Sequence, residues 1–223
     1  MPQRNTVKRY VAGGYYHVYN RGVEKRNIFL DDQDYRVFLH LLKYYLSPQD
    51  DSKIHPLANL EGFTLIRPRP LANLEKEINL LAFCLMPNHF HLLIQQITQD
   101  GMSKLLRRLL TTYAMYFNRR YDRVGHLFQS IYKAVLVDKD EYLLHLSRYI
   151  HLNPVELTGL NLVSYPYSSY PYFLRRKRAN WVKPDFILDY FESLKNKLSS
   201  YQKFIEGYID EHARDFLGSL AID

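Results

Sequence analysis

The sequence predicts an α+β fold: a mostly antiparallel central sheet flanked by helices, with a C-terminal extension. Two apolar stretches, "EINLLAFCLM" (77–86) and "HFHLLIQQ" (89–96), are joined by only Pro87 and Asn88, which is the pattern of a β-hairpin. Amphipathic helical patterns lie on both sides of that hairpin. The chain order is strand, helix, two paired strands, helix, strand, helix, and it fits a sheet covered by helices.

"GYYHVYNRG" (14–22) reads as the first strand, with aromatic and β-branched residues between glycines. "IFLDDQDYRVFLHLLKYYL" (28–46) reads as a helix. Asp31 or Asp32 can cap it, and Tyr35, Phe38, Leu39, Leu42 and Tyr45 recur at helical spacing. Residues 47–76 read as an insertion and contain "PLANLE" twice, at 56–61 and 70–75; a solenoid needs at least three such units. "MSKLLRRLLTTYAMYFNRRY" (102–121) keeps one apolar face. "HLFQSIYKAVLV" (126–137) reads as a strand. "DKDEYLLHLSRYIHLN" (138–153) reads as a helix with a capping-box start, Asp138 then Glu141, and a stop imposed by Pro154. A turn region (165–172), the basic run "RRKR" (175–178) and a helix near 185–204 follow. The expected organisation is a domain over residues 1–170 and an extension over 171–223, basic and partly helical.

The chain has 223 residues, of which 47% are hydrophobic, enough for a sizeable core. A net charge of +7 points to an anionic partner, nucleic acid first. Twenty Tyr and 12 Phe stand against one Trp, and rings beside cations suit single-stranded nucleic acid, though most tyrosines in any protein simply pack. Cys84 is alone, so no internal disulfide framework exists. The polar, basic N-terminus lacks the apolar core of a signal peptide, and no apolar run spans a bilayer. A cytoplasmic protein without a membrane partner is expected, nucleoid-associated when bound to DNA.

On a strand His89 and His91 share one face, and Phe90 points to the other. Two imidazoles on one face can hold a metal ion, although nine histidines would give roughly 0.4 such pairs by chance. A third ligand must come from an element packed against the hairpin. The helix 138–153 offers Tyr149 and Asn153, four residues apart on one face, with His145 one turn earlier. Taken singly, Tyr149 also reads as a core aromatic and Asn153 as a helix C-terminal residue.

"MPNHFHLLI" together with "YIHLNPV" resembles the single-tyrosine transposases of the HUH superfamily, with the REP-associated tyrosine transposases as the closest look-alikes. "YHVYNRG…IFLDDQDY" and "GHLFQ…YKAVLVD" strengthen the resemblance, which covers about residues 14–170 except the insertion. It implies a ferredoxin- or RRM-like HUH nuclease core. It also implies His89, His91 and Asn153 as metal ligands, Tyr149 as nucleophile and Mg²⁺ or Mn²⁺ as cofactor; two imidazoles and an amide oxygen suit such cations. The implied activity is cleavage and rejoining of single-stranded DNA near hairpins through a 5′-phosphotyrosine. Tyr142, two turns earlier, is the second choice as nucleophile. One departure stands out: Gln129, Ser130 and Ile131 replace the Gln-Gly-Arg common in relatives.

DNA contacts are expected from Arg107, Arg108, Arg119 and Arg120, from Tyr16, Asn20 and Arg21 of the first strand with Tyr15 and His17, and from Arg175, Arg176, Lys177 and Arg178. For each, a solvated or packed side chain is the alternative. His145 is the one guess for a general base. Relatives include monomers and dimers that exchange the tyrosine helix; "NPV" favours the monomer. The competing function is a hairpin-binding protein of the same fold that is catalytically weak or inactive. A metal-dependent oxygenase needs a His-x-Asp or His-x-Glu pair, which "HFH" does not supply, and an RNA-binding sheet would show an aromatic signature that these strands lack.

Overall fold

A computed structural model describes residues 10–48, 73–158, 161–191 and 200–208. The strands are β1 (Tyr15–Arg21), β2 (Ile78–Met86), β3 (His89–Gln96) and β4 (Lys133–Val137). The longer helices are α1 (Asp32–Leu46), α2 (Gly101–Arg120) and α3 (Asp140–Leu152). Shorter helices follow: α4 (Val155–Thr158), α5 (Tyr170–Phe173) and α6 (Asp185–Leu188), and residues 200–208 are also helical. The sheet order is β2-β3-β1-β4, and every pair is antiparallel. The doubled motif falls outside the described residues except for its end, as does part of the helix expected near 185–204.

Strand alternation divides the core into two layers. Tyr16, Val18, Phe90, Leu92 and Ile94 face α1 and α2, where they meet Phe38, Leu41, Leu106 and Tyr113. Leu93, Cys84 and Ala82 face α3, with Leu143, Ile150 and Leu152. The same layer takes in Phe173, Ile187, Tyr201 and Ile205 from the C-terminal elements. Residues 165–169 run beside β2: Leu85 N donates to Tyr167 O (3.0 Å), Ser169 N to Phe83 O (2.9 Å) and Tyr165 Oη to Leu85 O (2.6 Å). That cover removes one open sheet edge.

Three expectations are corrected. Residues 126–132 are not strand; they touch the sheet through an isolated bridge between Gly22 and Phe128. Their backbone is taken by a side chain instead, since Asn20 Nδ2 donates to the carbonyls of Ser130 (2.9 Å) and Ile131 (3.0 Å). The α3 N-cap is Lys139 rather than Asp138, and no side chain caps the helix. Pro154 ends α3 at Leu152, yet Asn153 keeps helical angles (φ −48°, ψ −40°) and α4 resumes at Val155.

Asp31 caps α1 as expected, accepting from Asp34 N (3.2 Å). Beside it, the Asp34 carboxylate is fully buried. It accepts from Leu30 N (2.8 Å), Tyr116 Oη (2.8 Å), Tyr121 Oη (2.9 Å) and Arg120 Nη1 (2.7 Å). Arg120 also pairs with Asp31 at 2.6 Å, and that hydrogen bond holds the Asp31 carboxyl below its ordinary pKa. A buried carboxylate is tolerable only when its lone pairs are met. Arg120, expected on the DNA surface, is therefore committed to joining α1 to α2. Replacing it with Ala leaves Asp34 as an uncompensated buried charge. Arg120→Ala should lose about 3 kcal/mol of stability in urea unfolding; a variant as stable as the wild type would return Arg120 to the DNA surface.

Candidate active site

The hairpin turn sets the site. Pro87 O accepts from Ile28 N (2.8 Å) and Phe29 N (3.0 Å), and Asn88 O accepts from Gly22 N (2.9 Å). Gly22 lets the segment that follows it fold back closely, because a Cβ there would lie 2.2 Å from Arg26 O. The turn fixes the start of β3, and β1 pairs with it so that Arg21 lies opposite His89, and Tyr19 opposite His91. His89, His91, His17 and Tyr19 thus share the α3 face.

His89 and His91 stand with ring centroids 4.9 Å apart, nearly perpendicular. The His91 ring is 5.3 Å from the Tyr149 ring, edge-on. His89 Nε2 lies 3.4 Å from Asn153 Oδ1. The structure therefore brings Tyr149, His89, His91 and Asn153 together, and it does so within one chain. Tyr142 lies on the surface, 61% exposed. His145 faces the C-terminal segment: its Nδ1 meets Arg148 Nη2 (2.7 Å), and its ring lies 5.9 Å from Phe204.

Hydrogen-bond roles at these residues are constrained. Asn153 Nδ2 donates to the Tyr149 carbonyl (2.8 Å), satisfying a helix-end acceptor and turning Oδ1 toward His89. Asn88 Nδ2 faces Lys25 O (3.4 Å), so its Oδ1 accepts from His89 Nδ1 (2.6 Å). A neutral imidazole has one donor and one acceptor; His89 Nε2 is then a bare lone pair, and it faces the Asn153 lone pairs. His91 Nε2 is buried with no hydrogen-bond partner. Converging acceptors with no donor between them fit a cation. Among the described residues no three His, Cys, Asp or Glu side chains form a metal-holding group; here the third donor is an amide, a residue type outside that set.

Burial lowers the pKa of His89 to about 4; the bond that a protonated Nε2 would give to Asn153 Oδ1 opposes this, and Arg21 reinforces it. Burial also holds His91 well below the usual imidazole range, with His17 and His89 adding to it. The imidazoles are neutral at pH 7, as a ligand pair must be. The Tyr149 phenol is raised by burial, partly offset by Asn153.

The other expected contacts scatter. Tyr16 (2% exposed) and Asn20 (3% exposed) are buried on the opposite face. Tyr16 Oη accepts from Val11 N (2.7 Å), so neither residue can touch DNA while the sheet is intact, and both expectations are corrected. Arg21 stays beside His89. Arg107 and Arg119 are exposed on α2, and Arg108 half-exposed, across the sheet from the histidines. Arg107 lines a groove of about 840 Å³ between α2 and residues 125–132, which is remote from the site chemistry. Arg175 to Arg178 are exposed, and Arg175 pairs with Asp185. Sequence reasoning missed Tyr19 and gave His17 only a base contact. Alternation along "YYHVYNR" already placed both with Arg21 on one face; what was lacking was which face.

Residues 71–153, which hold both histidines, Tyr149 and Asn153, match the family described as Transposase IS200 like. The fold matches a solved structure of a REP-associated tyrosine transposase bound to a REP hairpin, with a TM-score of 0.53 and 14% identity. The match covers 81% of this chain and 92% of the other. No curated protein sequence matches the chain. Among the described residues, no helix is long and apolar enough to cross a membrane.

Proposed function

We propose that this chain is a transposase that cuts and rejoins single-stranded DNA beside a hairpin, using Tyr149 as nucleophile. The observation that carries this reading is the meeting of the His89, His91 and Asn153 acceptors next to a phenol on the same helix as Asn153. Those three residues would hold Mg²⁺ or Mn²⁺. When bound, such a cation supplies charge stabilisation to a phosphodiester oxygen.

The chain's own residues do the rest. Tyr149 Oη forms a bond to phosphorus as the bond from phosphorus to the 3′-oxygen breaks. The product is a 5′-phosphotyrosine, the phenol proton leaves to solvent, and the departing 3′-oxygen gains a proton. A second 3′-hydroxyl reverses the step, so joining needs no external energy source. Arg21, beside His89, would bind a flanking phosphate, and the sheet and α3 exclude water from one side. A hairpin is the proposed partner because the REP-associated relative is bound to one. The reactive groups meet in one chain, so a monomer carries a whole site.

The Tyr149→Phe variant should form no covalent adduct with hairpin-bearing single-stranded DNA and Mn²⁺, while its DNA affinity stays within about twofold. An adduct on a denaturing gel from that variant would reassign the nucleophile. Wild-type protein that binds the hairpin tightly but never forms an adduct would favour the inactive binder. His89→Ala and Asn153→Ala should reduce metal-dependent cutting to background; wild-type cutting undiminished in excess chelator would remove the cation from the mechanism. Arg21→Ala should weaken DNA binding and lower the salt slope by about one, as read by fluorescence anisotropy across salt concentrations.

A further inference from the structure

His17 is not among the cation-holding residues, yet it touches one of them. Its Nε2 lies 2.9 Å from His91 Nδ1, and the two rings are stacked, 5.1 Å apart and 19° from parallel. One of these nitrogens donates and the other accepts. If His17 donated, His91 Nδ1 would carry the lone pair and His91 Nε2 the proton. That Nε2–H would be buried with no acceptor, at the cost of an unmade hydrogen bond. If His91 donates, its Nδ1 holds the proton, and Nε2 presents a bare lone pair to the space beside His89 and Tyr149.

We propose that His17 is a positioning residue that holds His91 in the tautomer with a free Nε2, ready for a cation. His17 does for His91 what Asn88 does for His89: each accepts from Nδ1, and each leaves Nε2 open. The two supports come from different parts of the chain, one from β1 and one from the hairpin turn. Tyr19 packs against both rings, with centroids 4.8 Å from His17 and 5.9 Å from His91, and Lys133 Nζ lies 5.5 Å from the Tyr19 ring. This stack fixes the plane of the His17 ring, and with it the direction of its Nε2. Outer partners of this kind set both tautomer and ring orientation of ligating histidines.

The inference rests on the cation reading of the site, and its test separates the two. Long-range ¹H–¹⁵N correlation spectra of metal-free full-length protein report the His91 tautomer directly. His91 should show a protonated Nδ1 and an unprotonated Nε2 in the wild type, and should lose that single state in His17→Phe. Calorimetric Mn²⁺ titration should show affinity about 10- to 100-fold weaker in His17→Phe. His17→Gln, whose amide oxygen can accept from Nδ1, should recover most of the loss. A wild-type His91 protonated at Nε2 overturns the proposal, and so does a His17→Phe variant with unchanged tautomer and Mn²⁺ affinity. The wild-type spectrum decides even if His17→Phe fails to fold. Wild-type protein with the expected tautomer but no Mn²⁺ binding would overturn the cation reading and leave the role of His17 standing.

Discussion

Register between β1 and β3 is the constraint on which the site depends. His89 and His91 face α3 only because Arg21 and Tyr19 sit opposite them in the ladder. A slip of one residue would send both imidazoles into the layer occupied by Phe38 and Tyr113 and would push Phe90 into the site. Several features oppose that slip. The two-residue turn at Pro87-Asn88 is held by backbone bonds from residues 22, 28 and 29, and Phe90, Leu92 and Ile94 are all fully buried under α1 and α2. Apolar packing on one face thus sets polar geometry on the other.

The second half of the site depends on α3 being held rigidly against the sheet. That hold is polar as well as apolar. His151 Nδ1 meets Tyr201 Oη, and its Nε2 meets Ser169 Oγ, both at 2.7 Å. Ser169 Oγ also accepts from Phe83 N (2.8 Å), and Tyr201 Oη donates to Ser147 Oγ (3.1 Å). One buried network therefore ties α3 to β2 and to the 200–208 helix. Burial lowers the His151 pKa to about 3, and the neutral ring serves as donor on one side and acceptor on the other. A buried polar network that is fully satisfied specifies one arrangement more sharply than apolar contact does. Such a network suits a helix that must hold Tyr149 and Asn153 in place.

Much of this was legible in the sequence, for a physical reason. The bounds of β3 and the cap of α1 follow from local rules: alternation, a two-residue turn, and a carboxylate before a periodic helix. The pairing of Tyr149 with Asn153 follows from helical spacing. What was not legible depends on long-range pairing. Residues 126–132 carry strand-forming types, but the Asn20 side chain takes their carbonyls, and no local rule shows that. Tyr16 and Asn20 looked like surface aromatics and polars of a binding strand; alternation alone left open which face would be covered. Arg120 read as one cation among several, because Asp31 and Asp34 lie some 86 to 89 residues away in sequence.

The choice between a cutting enzyme and a hairpin binder turns on what the site costs a folded protein. Three acceptors gather at the site: His89 Nε2 and Asn153 Oδ1, 3.4 Å apart, and the buried, unpartnered His91 Nε2. A buried acceptor left unmatched, as His91 Nε2 is, destabilises by about 1–3 kcal/mol relative to a matched one. A protein that only binds DNA gains nothing from that arrangement, and apolar residues of similar size would serve its fold at least as well. The supports at Asn88, His17 and Tyr149 O go further, since each directs a lone pair toward the common space. A cation placed there would satisfy all three acceptors at once. The unfavourable part of the structure is thus localised where the chemistry would occur, as expected when strain or unmet polarity is retained for function.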